Sequence, residues 1–242
     1  MKEEEIAALD GDWSEFTPAQ QAAFVLARKL SYEPHLITDA DIDHLCKHYK
    51  NLQILEIVFS VAGNNSTNRW KEGIGVPQEK EATRFLKMAE KPVPQDRPLP
   101  QWVRLLVNFP RDGKARVVGL RNADEKGDLK PLLKAQVSWI IARQDRAWYA
   151  VGEAKQRLVA LGCSEDQIYK LDGDWKEFTP AERALFTLAR NLAAAPIVST
   201  DEDVAEALRL TGPREVVQLI SYTTGRAFFD RVTEAAGLQL EK

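Results

Sequence analysis

The chain has 242 residues, 44% of them hydrophobic and 29% charged, with a formal net charge of −3 and a pI near 5.8. That length holds one large or two small domains with ample apolar material for a core, and the acidic balance leaves no basic footprint for nucleic acid or an anionic membrane surface. The longest apolar runs fall far short of a bilayer span, and the start "MKEEE" is no signal peptide. Two cysteines, Cys46 and Cys163, form neither a disulfide framework nor a CxxC redox pair. These features predict a soluble cytoplasmic protein with reduced thiols and no cofactor.

The first distinctive word is LDGDW, Leu9–Trp13. It reads as a turn, with Asp-Gly-Asp supplying the bend and tryptophan an apolar anchor. Its acids lack the twelve-residue ligand ladder of a calcium loop. Thr17-Pro18-Ala19-Gln20 is a capping box with proline at the first helical position. Behind it Phe24, Leu26, Ala27 and Leu30 recur at helical spacing, and Pro34 stops the helix. A short second helix starts at Thr38 with acids in its first turn. His44 and His48 on it stand at i, i+4, a spacing that can grip a metal. However, Cys46 lies off that face and His35 is the only other histidine, so a solvated helix and no metal are expected. A long third helix buries Ile54, Leu55, Ile57, Val58, Val61 and Ala62, and Gly75 ends it. Its stretch GNNSTNRW, Gly63–Trp70, sets Asn64, Asn65, Asn68 and Arg69 in a polar strip that suits a pocket wall, an oligomer seam or open solvent.

Glu90–Trp102 carries four prolines and reads as a linker or extended arm. Trp102–Phe109 reads as a short helix, and Leu129–Gly162 as predominantly helical. Gly162 stops that stretch, and Ser164 with Gln167 makes a further capping box. Cys163, beside this helix start, reads as an inert structural thiol.

From Leu171 the chain repeats itself. Leu9–Lys80 aligns without a gap to Leu171–Lys242 at an offset of 162, with identity at 26 of 72 positions. LDGDW, the capping box (now Thr179 to Glu182), FVLARKL against FTLARNL, and TDAD against TDED all recur. Val216, Val217, Leu219, Ile220, Thr223 and Thr224 answer the first copy's buried positions, Pro196 answers Pro34, and Gly237 answers Gly75. The unit is too long for a solenoid, so a duplicated helical domain is expected. Because Met1 aligns with Cys163, the first copy corresponds only to the back half of the second. The expected organisation is a partial repeat over 1–80, a Pro-rich linker over 81–100 and a complete helical domain over 101–242. The fold class is all-α.

The order of segments in Leu129–Lys242 resembles the carboxymuconolactone decarboxylase family, which includes the alkylhydroperoxidase D (AhpD)-like peroxidases. LVALGCSEDQI (Leu158–Ile168), FTPAERALFTLARNLAAAP (Phe178–Pro196) and STDEDV (Ser199–Val204) carry the resemblance, and Thr38–Pro77 matches the family's closing segment. The resemblance implies an AhpD-like helical bundle, a peroxiredoxin-type activity and assembly into dimers or higher oligomers. The implied chemistry needs Cys-x-x-Cys-x-x-x-His at the start of a helix, which lowers the thiol pKa, and a glutamate three turns upstream. Here Ala147 and Ala150 stand at the cysteine positions, Ala154 at the histidine and Ala135 near the glutamate. The first copy's equivalent stretch falls ahead of Met1. The chain is therefore expected to lack dithiol chemistry. The decarboxylase branch implies instead an acid/base pocket, for which ARQDRAWY supplies Arg143, Asp145, Arg146, Trp148 and Tyr149. In that reading Arg143 and Arg146 bind a small carboxylate and Tyr149 donates a proton, with Asp145 or Asp230 balancing the buried arginines. The alternative is a non-catalytic helical module for assembly or for binding a small anion.

Overall fold

A computed structural model describes residues 3–75, 100–107 and 113–240. Among the described residues every regular element is helical, which makes the chain all-α. In order these are α1 (Glu3–Ala8), α2 (Pro18–Tyr32), α3 (Asp39–Cys46), α4 (Asn51–Gly73), α5 (Gln101–Val107), α6 (Gly113–Glu125), α7 (Pro131–Asp145), α8 (Trp148–Ala160), α9 (Glu165–Tyr169), α10 (Pro180–Ala193), α11 (Asp201–Thr211) and α12 (Pro213–Ala235). Short 3-10 turns lie at Pro34–Leu36 and Lys170–Asp172. Most of the expected Pro-rich linker lies outside the described residues. Helix α6 has no counterpart among the sequence expectations: its apolar positions are few, and tertiary packing of Val117 holds it in place.

The repeat is present down to single hydrogen bonds. Each LDGDW word makes the same corner. Trp13 and Trp175 both take left-handed backbone angles, φ 62 and 59. Their indole Nε1 groups donate to Leu9 O and Leu171 O, each at 2.7 Å. Each indole then packs edge-on against the next helix, Trp13 on Phe24 at 5.6 Å and Trp175 on Phe186 at 5.5 Å. Arg28 and Arg190 close the two corners over the indole faces at 4.7 and 4.5 Å. A left-handed non-glycine residue costs on the order of 1 kcal/mol or more, which packing of the indole offsets, more fully at the buried Trp175 than at the half-buried Trp13.

The caps also recur. Thr17 and Gln20, and likewise Thr179 and Glu182, exchange backbone and side-chain hydrogen bonds at the starts of α2 and α10. Asp41 and Asp203 cap the next helices and reach back to equivalent positions, Lys29 at 2.7 Å and Asn191 at 2.9 Å.

Helices α4 and α12 pack on each other and join the two repeats. Phe59 meets Phe228 at 5.3 Å, Ser66 Oγ donates to Thr224 O, and Phe228 and Val232 enter the first repeat's apolar cluster. In front of the second repeat lie α7 and α8. Helix α7 is buried on nearly every side, and its Trp139, Ile140 and Ile141 share a cluster with Phe186, Leu188 and Ile220. On the first repeat, Val103 and Leu106 of α5 and Val117 of α6 lie against Ile54, Val58 and Phe59. Two details differ from the expectation. Leu55, Ile57 and Val61 are only half-buried, and Val217 is 49% exposed. Burial on α12 follows Val216, Leu219, Ile220 and Thr223, and Val217 lies about 100° around the helix from Val216.

Candidate functional site

The corner between α7 and α8 is where the resemblance places chemistry. Helix α7 ends at Asp145, Arg146 turns the chain in a left-handed conformation (φ 54), and α8 begins behind Ala147. The helix start that lowers a thiol's pKa is thus present, but without a thiol. Ala135, Ala147, Ala150 and Ala154 are all 0% exposed. Ala147 and Ala150 pack with Ala142, Tyr149 and Phe229, and Ala135 and Ala154 belong to the main core. Methyl groups in a closed apolar environment offer no nucleophile, no acid and no room.

The polar residues of ARQDRAWY diverge from one another. Arg143 points to Asp172 at 3.2 Å and lines a cavity of about 280 Å³ with Gln144, Trp175 and Arg190. Arg146 lies at the surface with its guanidinium 3.1 Å from His35 Nε2. Trp148 is 61% exposed. Tyr149 is buried, its ring tilted on Phe229 and its backbone N–H donated to Glu234. Asp145 turns inward and pairs with Arg231 at 2.9 Å. Burial pushes the Asp145 carboxyl above its ordinary range, against the pull of Arg231 and Arg69. The four residues expected on α4 do gather. Asn64, Asn65, Asn68 and Arg69 line a groove of about 440 Å³ with Ser31, Tyr32 and the segment Ala194–Ile197. Asn65 donates to Ser31 Oγ at 3.0 Å and accepts from Arg69 at 3.1 Å.

Sequence reasoning named Asp230 on α12 but left out its neighbours Arg226 and Arg231; all three are buried. The internal alignment carried the signal for one of them, because it pairs Arg231 with Arg69. Arg226 reaches Glu153 at 2.8 Å, and burial notwithstanding, Glu153 and its other anionic neighbours hold its pKa above normal. Beside it, Tyr222 bonds Ser138 and Asp124, each at 2.8 Å, and Arg157 pairs with Asp124 at 2.9 Å. Burial raises the Tyr222 pKa to about 12, so this network stays as drawn at neutral pH.

Of the two acids expected to balance buried arginines, Asp145 does so and Asp230 does not. Among the described residues, both Asp230 carboxyl oxygens are buried without a hydrogen bond. Burial first, then the neighbouring acids Asp145 and Glu153, push its pKa well above 3.8, while Arg226 and Arg231 pull it back. Its folded pKa is higher than its unfolded one. Stability from this group is therefore complete below about 3.8 and is lost as pH rises toward the folded value. Inside that window the native chain should lose about 1.4 kcal/mol per pH unit relative to Asp230→Asn. Urea denaturation of both proteins at several pH values checks this, and a gap between them that does not change with pH contradicts it.

His44 and His48 lie edge-to-face at 5.6 Å, and no cluster of three metal-ligating side chains exists among the described residues. Cys46 is exposed and Cys163 half-buried, both as free thiols. A second groove of about 710 Å³ runs between α3, α4, α5 and the end of α12, with Cys46 on its wall. No helix among the described residues is long and apolar enough to cross a membrane.

Fold and site together define an all-helical protein whose α7–α8 corner is packed with buried alanines. The chain is similar in structure to a cysteine-to-alanine variant of the debrominase Bmp8, solved in complex with 2,3,4-tribromopyrrole. The TM-score is 0.54 at 16% identity, over 59% of this chain and 78% of that one. Bmp8 has the carboxymuconolactone decarboxylase/AhpD-like fold, and at this identity the likeness is one of fold. No family model and no curated protein matches the sequence.

Proposed function

We propose that this chain is an AhpD-like protein without a Cys-x-x-Cys dithiol pair that serves as a non-catalytic helical assembly module. The observation that carries this reading is the fully buried state of Ala135, Ala147, Ala150 and Ala154, the four positions to which the resemblance assigns reactive groups. A peroxidase centre must expose a thiolate to its substrate, whereas these positions serve packing alone. The expected result is no hydroperoxide consumption above background with a dithiol reductant. The variant Ala147→Cys/Ala150→Cys should remain inactive, with both new thiols reacting with a thiol reagent only in denaturant. Thiol-dependent turnover by the unaltered chain would refute the reading.

A second reading, binding of a small carboxylate, is favoured by Arg69. Its guanidinium bonds only Asn65 and the carbonyls of Ala193 and Ala194, its Nε is unpaired, and no carboxylate lies within ion-pair distance among the described residues. Burial, with Arg231 nearby, lowers its pKa to about 10. An anion entering the groove would compensate that charge.

A further inference from the structure

Arg69 and Arg231 are equivalent by the repeat, and each reaches across to the other repeat. Arg231 Nη2 donates to Ser31 O and Arg69 Nη2 to Ala193 O, both at 3.2 Å, and Ser31 and Ala193 are themselves equivalent. Among the described residues, only Arg231 of the two has an acid within ion-pair distance. Asp145, delivered by the α7–α8 corner, supplies it at 2.9 Å.

The surroundings of the two arginines differ in the same way. Around Arg231 the corner has filled its seat. Ala189, Thr223, Ala227 and Asp230 are buried, Phe229 lies under Ala147 and Ala150, and Arg146 meets His35 at the edge. The equivalents around Arg69 are Ala27, Val61, Asn65 and Asn68, with Ile197 where His35 stands, and they line the open groove of about 440 Å³. Helices α2 and α4, the backbone carbonyls and the arginine are in place.

We propose that this groove is a docking seat for a second helical hairpin of the α7–α8 type, which presents a carboxylate to Arg69 from the position that Asp145 occupies. The proposal rests on reading the chain as an assembly module. A free small carboxylate would satisfy Arg69 but leave Ala27, Val61, Pro196 and Ile197 wet, whereas a corner built like Ala142–Ala150 covers them as its counterpart does around Arg231.

The test extends the full chain by a second copy of residues 127–162 joined directly to Met1, the spacing that α7–α8 has from Cys163. At this size a gain of 1 kcal/mol raises Tm by about 2–4 °C, and the seated hairpin should raise it by roughly 5 °C or more. Asn64→Trp, on the exposed rim, should leave the unextended chain's Tm unchanged and abolish the gain. Changing the added hairpin's copy of Asp145 to alanine should abolish most of it. The proposal is overturned if the extension brings no gain, if the extended chain aggregates for want of a seat, or if the gain survives both substitutions. It is also overturned if benzoate alone raises the Tm and the extension does not, or if the unextended chain is a dimer that Asn64→Trp dissociates. Thiol-dependent peroxide turnover would instead remove the functional reading and leave these melting results to stand or fall by themselves.

Discussion

Arg231→Met is expected to destabilise the fold by about 3–5 kcal/mol, the range for breaking a buried ion pair from one side. The residue is 0% exposed. Its guanidinium holds together three separate parts of the chain: Asp145 at the end of α7, Ala227 O on its own helix, and Ser31 O at the end of α2 in the other repeat. Removing it leaves the Asp145 carboxylate buried without its ion-pair partner, with Arg69 and His35 as the remaining groups that oppose its charge. It also strips the carbonyl of Ser31 of a donor. The double variant Arg231→Met/Asp145→Leu removes both charges, so most of the loss should be recovered, because the pair's mutual attraction largely offsets its own desolvation. Urea denaturation of the two single variants and the double yields the coupling energy. Single variants that each cost less than about 1 kcal/mol would show that the pair is not buried as described.

Trp175→Ala is expected to cost about 3–5 kcal/mol, as large-to-small changes at buried aromatic positions do. The ring is 6% exposed, packs on Phe186, lies under Arg190, and donates its indole hydrogen to Leu171 O at 2.7 Å. Trp13 makes the same contacts in the first repeat but is only half-buried. Trp13→Ala should therefore cost distinctly less. Thermal melts followed by circular dichroism separate the two, and equal losses would mean that the corners are equally buried in solution. The comparison isolates environment from chemistry, since word, backbone angle and hydrogen bond are shared.

Much of this molecule was legible in its sequence. Capping boxes, helical periodicity and the terminating glycines depend on neighbours within one turn, so the starts of α2 and α10 and the end of α12 follow from local chemistry. The repeat was visible for the same reason: one local code, written twice, makes two similar corners. The alanines at the reactive positions were readable too, because the resemblance assigns them by register along the chain. Helix α6 and the exposure of Val217 were not readable, as each depends on which faces the neighbouring helices cover.

The site divides along the same line. The sequence alone determined that the chain has no Cys-x-x-Cys pair, and that Arg69 and Arg231 are equivalent by the repeat. Only the tertiary structure decided that Arg143, Arg146 and Tyr149 point to different places, that Asp145 turns inward, and that Asp230 is buried without a hydrogen bond among the described residues. Charge and hydrogen-bonding capacity are properties of a residue, whereas burial and pairing are properties of the space around it. Two equivalent arginines can therefore differ in their pairing, because only one has an α7–α8 corner packed over it.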